Sequence, residues 1–222
     1  MSAPVHRMTK AEILKLKKFR CKHGHDGLDH YACYQEEVGL GEKVGYFDIE
    51  ASNLKADFGI IFGYCIMDED SGSIDEAWIT KKCLESGALD FNVVKKLIAD
   101  LSKYDRIITH YGTRFDVPYS RARAEFWRLN FPEHGLIKHT DTYYMARRLL
   151  AISSRRLIKV HEHLFGESEK TKITSGHWIQ ALQGNKDSLK YIRDHCVIDV
   201  RELRDIYLRM LPYVKGNSQR SI

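Results

Sequence analysis

Two carboxylates, Asp48 and Glu50, stand two residues apart in VGYFDIE (44–50), a run otherwise made of β-branched, aromatic and glycine residues. That composition predicts a strand, and residues i and i+2 of a strand share a face. Phe47 and Ile49 then point to the opposite face. Two acids on one face of a buried strand cost free energy unless they are paired or bound to cations. The pair marks either a site for hard cations such as Mg²⁺ or Mn²⁺, which favour carboxylate oxygens, or a solvated strand end.

The flanking pattern extends this strand into a sheet. FGIIFGYCIM (58–67) predicts a strand buried on both faces, and DEAWIT (75–80) a third, so the main domain opens as an antiparallel meander. Helical spacing then runs through Val94, Leu97, Ile98 and Leu101 of 91–104. RIITHYG (106–112) predicts a strand, Pro118 stands near a helix start, and LIKHTDT (136–142) predicts the last strand. Helices fill the remainder, the longest from near Asp187. A meander followed by strand–helix alternation indicates an α/β domain, a mixed sheet of about five strands flanked by helices, with 44–50 nearest its centre.

Further acids fall where such folds place sites. Asp116 follows a strand and precedes a helix; it is a ligand at a strand's carboxyl end or a helix N-cap. Asp141 ends the last strand, either supporting the site from behind or capping the next helix. Tyr191, His195 and Asp199, at intervals of four, stack on one helix face. They form a ligand with a neighbouring base and a supporting Tyr, or a polar stripe.

The 222 residues, 43% hydrophobic, suit one ordinary domain with a small appendage. No apolar run reaches 18 residues, the N-terminal twenty residues lack an apolar signal region, and the five cysteines are odd in number and scattered. These features predict an intracellular protein with reduced thiols and no membrane partner. The net charge of +5 is compatible with a polyanion. Arg147, Arg148, Arg155, Arg156, Lys159, Lys170 and Lys172 follow a phosphate backbone or form a solvated face. Phe126, Trp127 and Trp178 stack on bases or pack in the core. The terminal GNSQRSI is expected to fray.

Residues 9–20 predict a basic helix with Thr9 as N-cap and Glu12 closing a capping box; 21–40 predict an irregular loop. That loop holds Cys21, His23, His25, His30 and Cys33 within thirteen residues. Tetrahedral zinc takes four such ligands. Cys21, Cys33 and His30 with either His23 or His25 complete a set; otherwise the segment is a His-rich loop.

Three segments in order, YFDIEAS, THYGTRFDVPYSRAR and YIRDHCVIDVREL, resemble the exonuclease motifs of the DEDD superfamily. The nearest likeness is to the YprB-like ribonuclease H-like family and the exonuclease domain of family B DNA polymerases. The resemblance covers residues 44–213 and implies a ribonuclease H-like fold and 3′–5′ exonuclease activity on DNA or RNA. It implies two Mg²⁺ or Mn²⁺ ions held by Asp48, Glu50, Asp116 and Asp199, with His195 orienting or deprotonating the attacking water. The alternative is a ribonuclease H-like module that binds nucleic acid without cutting it, or cuts selectively by structure. His195 stands three intervening residues before Asp199, the spacing of the superfamily's Tyr branch, and His110-Tyr111 replaces an Asn-Gly pair. The expected division is a basic helix with a zinc segment over 1–40 and an exonuclease domain over 41–216.

Overall fold

Alternation along the first strand organises the main unit. In β1 (Val44–Ala51), Phe47 and Ile49 enter one hydrophobic cluster while Tyr46 enters another, so each face of the strand is covered. The computed structural model describes residues 10–21, 23–37, 41–214 and 220–221. The chain divides into two compact units, Met1–Glu42 and Lys43–Ile222.

In the larger unit β1 pairs antiparallel with β2 (Ile61–Asp68), and β2 with β3 (Ile74–Trp78). Helices α3 (Lys81–Glu85) and α4 (Phe91–Leu101) lead to β4 (Arg106–Thr109), which returns parallel to β1. After α5 (Asp116–Phe126), β5 (Lys138–Asp141) pairs parallel with β4. Four helices follow: α6 (Thr142–Leu149), α7 (Leu157–Phe165), α8 (Ser175–Leu182) and α9 (Lys186–Met210). A 3₁₀ turn spans Leu211–Tyr213, and β6 (Arg220–Ser221) closes the chain. The sheet order is β3-β2-β1-β4-β5-β6, mixed, with β1 and β4 at its centre. Every residue of β2 is buried, as expected for a strand covered on both faces.

One face packs Val94, Leu97 and Leu101 of α4, with Val117 and Tyr119 of α5, against Phe47, Ile49 and Phe62. The other packs Met145 of α6, Val160 of α7 and the later part of α9 against Tyr46, Cys65 and Ile108. Fully burying such a side chain is worth ~1.5–3 kcal/mol. Leu189 and Ile192 of α9 join the first cluster, and Cys196, Val200 and Leu203 the second.

Three expectations need correction. Residues 21–40 are not wholly irregular: the smaller unit contains α1 (Lys10–Lys18) and a second helix, α2 (Tyr31–Glu37). Apolar periodicity hid α2, because its support is local: the Asp26 side chain accepts from the amides of Leu28 and Asp29, and Tyr34 meets Phe19 edge-on at 5.1 Å. The strand expected over 106–112 ends at Thr109, because Asp141 draws the amides of Tyr111 and Thr113 out of the ladder. Finally, Arg220–Ser221 pair antiparallel with β5 instead of fraying. Thr9, the expected N-cap, and residues 38–40, 216–219 and 222 lie outside the described residues.

Candidate metal and nuclease centre

β1 and β4 pair only through Val44–Tyr46, so beyond that point the two parallel strands part at their carboxyl ends. Such an opening is where open α/β sheets hold ligands. The freed amide of Ile49 donates to Oδ1 of Asp116, the first residue of α5, at 3.0 Å. Asp116 is not the N-cap; Phe115 occupies that position. Asp48 and Glu50 face α9, where Sγ of Cys196 lies 3.4 Å from Oδ2 of Asp48. His195, next to Cys196, and Asp199, one helical turn on, project to the same place, Nε2 of His195 lying 3.6 Å from Oδ2 of Asp199. Donor atoms of Glu50, His195 and Asp199 lie within 4.8 Å of one another, and so do those of Asp48, Glu50 and Cys196.

The electrostatics set these acids apart from the buried Asp90. Asp90 is fully buried and saturated: Arg123, the Ile61 amide and the Trp127 indole all donate to it at 2.7–2.9 Å. Asp199 Oδ1 is buried with no hydrogen-bond partner. Burial, then the neighbouring charges of Asp116 and Asp199, pushes Asp48 well above the carboxylate range. Burial and Asp48 do the same to Glu50. Burial is also the largest cause for Asp116, raised to about 7, and for Asp199. The cation these acids face is Lys170, ion-paired to Asp199 and itself raised despite burial by the carboxylates around it. A buried set of mutually repelling carboxylates with one unmet oxygen suits divalent cations on oxygen ligands.

Lys170 belongs to a strap along α9. Ser168 and the amide of Glu169 donate to Glu202, Lys170 pairs with Asp199, and Thr171 Oγ1 lies 2.8 Å from Nδ1 of His195. Positions 195, 199 and 202 share one helix face. The strap sits in irregular chain between α7 and α8, so periodicity carries no signal for it. The basic run offers Lys170 only as a phosphate contact or as part of a solvated face.

The remaining candidates divide. Asp141 caps α6 through the Tyr143 amide at 3.0 Å and accepts from the amides of Tyr111 and Thr113 at 2.8 and 3.0 Å. It thereby holds the turn that leads into Asp116. At Gly112 of that turn a Cβ would fall 2.4 Å from Thr109 Oγ1, so the close approach requires glycine. Tyr191 stacks on His177 at 4.3 Å, and its hydroxyl donates to the Lys172 carbonyl at 3.3 Å. It lies eight residues from Asp199, roughly 12 Å along the helix axis, so a shared face does not make it a neighbour. Trp178 stacks on Phe62, and Trp127 is tied to Asp90 and packs on Phe91; both are partly buried against the core, while Phe126 is exposed.

His110 lies 2.8 Å from Thr142 Oγ1 and 2.7 Å from the Arg155 carbonyl, and burial lowers it to about 4. It borders a cleft of about 550 Å³ that also takes in Asp48, Asp199, Lys170, Tyr111, Tyr143 and Arg155. Nε of Arg155 is buried there without a hydrogen-bond partner.

A mixed sheet whose central strand carries two acids toward a long C-terminal helix defines a ribonuclease H-like domain. A family model described as RNase_H superfamily matches residues 45–211, and the chain belongs to that superfamily. It is 35% identical over 100 residues to a DNA polymerase of Methanocaldococcus jannaschii, across 36% of this chain and 6% of that protein. Its fold resembles that of the family B DNA polymerase of Pyrobaculum calidifontis, with a TM-score of 0.64 and 19% identity over 78% of this chain and 25% of the polymerase. The chain thus spans a small part of either polymerase. Among the described residues no helix is long and apolar enough to cross a membrane.

In the smaller unit, donor atoms of Cys21, His23, His30 and Cys33 lie within 4.8 Å of one another. His25 is outside that set.

Proposed function

We propose that the protein is a 3′–5′ exonuclease that hydrolyses phosphodiester bonds of DNA or RNA with two Mg²⁺ or Mn²⁺ ions. The observation that carries this reading is the convergence of Asp48, Glu50 and Asp199, with Asp116 beside them, from three separate segments, with Asp199 Oδ1 unmet. Asp48, Glu50, Asp116 and Asp199 would hold the ions. Bound divalent ions supply an activated water and charge stabilisation at the leaving oxygen. His195, lowered to about 4 chiefly by burial, is neutral at physiological pH. Its contact with Thr171 Oγ1 fixes the ring and leaves Nε2 beside Asp199 to accept a proton from the attacking water. Burial makes His195 an orienting acceptor more than a strong base. Arg155 and Lys170 line the cleft as phosphate contacts, and Tyr111 and Tyr143, 4.7 Å apart, as stacking surfaces for a terminal base.

The test is a time course with Mg²⁺ or Mn²⁺ on 5′-labelled and 3′-labelled single-stranded and duplex DNA and RNA. A ladder receding from the 3′ end is expected. Binding without cleavage would leave a nucleic-acid-binding module, and internal cuts an endonuclease.

A further inference from the structure

The smaller unit holds a ligand cluster of different chemistry. Sγ of Cys21 lies 3.9 Å from Nδ1 of His23 and 3.8 Å from Nδ1 of His30. Sγ of Cys33 lies 3.7 and 3.9 Å from the same two atoms. Zinc bonds of about 2.3 Å to sulfur and 2.0–2.1 Å to nitrogen, at tetrahedral angles, set sulfur and nitrogen about 3.6 Å apart. The donors therefore already stand near the corners of one zinc tetrahedron.

Local backbone chemistry produces this arrangement. The amide of Gly24 donates to the Cys21 carbonyl at 2.8 Å, and the Cys21 amide to the His25 carbonyl at 3.0 Å. The turn needs the left-handed φ of +83° that Gly24 adopts. It returns His23 beside Cys21. Asp26 then accepts from two amides, and His30 enters α2 with Cys33 three residues later.

The unit has little else to order it. Among its described residues the buried hydrophobics are Leu16, Cys21 and Tyr34. Units of about 40 residues with so small a core usually require a metal, disulfides or oligomerisation to be stable. Cys21 and Cys33 are not joined in a disulfide. Two sulfurs and two imidazoles around one point are a soft tetrahedral set that selects zinc over Mg²⁺ or Ca²⁺.

We propose that Cys21, His23, His30 and Cys33 bind one structural Zn²⁺, and that this ion orders the smaller unit. Both thiols release their protons to solvent as the metal–sulfur bonds form. His23, and not His25, is the fourth ligand. His25 Nδ1 lies 2.9 Å from Nε2 of His30 and 3.1 Å from its Nδ1. His25 thus stands against the His30 ring, edge-on with centroids 4.0 Å apart, as an outer contact that fixes the ring's orientation.

The full chain, purified without added metal, is expected to carry about one zinc by elemental analysis. Cys21→Ser combined with Cys33→Ser should lose it, whereas Asp48→Asn combined with Asp199→Asn should keep it. His25→Ala should keep one zinc with about 10–100-fold weaker affinity. If the cysteine variant does not fold, cobalt(II) exchanged into the unmodified chain replaces it as the test. Thiolate-to-cobalt charge-transfer absorption with tetrahedral d–d bands supports the site. Less than about one zinc in ten folded chains, or a cobalt complex without thiolate absorption, overturns it. Zinc that stays stoichiometric in a folded double-cysteine variant overturns it as well.

Discussion

The two ligand clusters are built in opposite ways. In the larger unit, β1, α5 and α9 are held by two hydrophobic clusters, and that framework forces Asp48, Glu50, Asp116 and Asp199 together against their own repulsion. In the smaller unit a glycine turn and a two-turn helix gather imidazoles and thiols with, among the described residues, the buried Leu16 and Tyr34 behind them. A framework can carry a site that is unfavourable without its ions, because burial elsewhere offsets the cost. A loop cannot, so there the ion must contribute to folding. Metal should therefore be an addition to one unit and a structural part of the other.

The strongest way to break this contrast is to remove oxygen ligands one at a time. Asp48→Asn, Glu50→Gln, Asp116→Asn and Asp199→Asn should each lower cleavage by about 10²–10³-fold or more, since each deletes a charge that stabilises the transition state through a cation. Zinc content and circular dichroism should stay at parental values. Near-normal turnover in two of the four would dissolve the shared site.

His195→Ala should cost about 10²-fold in turnover with a smaller change in substrate affinity. His195→Tyr should retain more activity than the Ala variant, because the spacing to Asp199 is that of the Tyr branch. An Ala variant as active as its parent would make His195 a structural partner of Thr171 and no more.

How much of this was legible beforehand depended on the range of each interaction. The β-branched and aromatic composition of 44–50 and the 3.6-residue spacing in α4 are both visible in sequence. The ordered acids were legible as a set because each sits at a defined place in its element: mid-strand, helix start, helix interior. The strap was not, since Lys170 and Thr171 meet α9 across 29 and 24 residues of sequence with no period to announce them. The choice between His23 and His25 was equally hidden, because it depends on the direction of one turn at Gly24.

Lys170 offers a subtler probe. Its ammonium occupies the neighbourhood of Asp199 that a divalent ion would share. Lys170→Met should bind Mn²⁺ about tenfold more tightly in calorimetric titration, a competing charge having been removed. Unchanged affinity would mean that the Lys170 ammonium does not compete with the ions.

The smallest expected effect is the most direct test of the contrast. Burial raises Asp116 from 3.8 to about 7 in the folded, ion-free chain. Between those values the folded state holds a proton that the unfolded state has released, so stability falls as pH rises. The contribution of this group is fully present below the unfolded value and lost as pH passes the folded one. Asn at position 116 cannot ionise, yet its Oδ1 can still accept from the Ile49 amide. In buffer free of Mg²⁺ and Mn²⁺ but without chelator, so that zinc stays in place, Asp116→Asn should be more stable than the parent at pH 7.5. The gain should shrink toward zero as pH falls to 4. Saturating Mn²⁺ should reverse the order, because the parent gains a ligand-linked term that the variant lacks. Urea unfolding followed by tryptophan fluorescence reads all three conditions. A variant less stable than its parent at pH 7.5 without Mn²⁺ would show that the carboxylate is not held against an electrostatic cost.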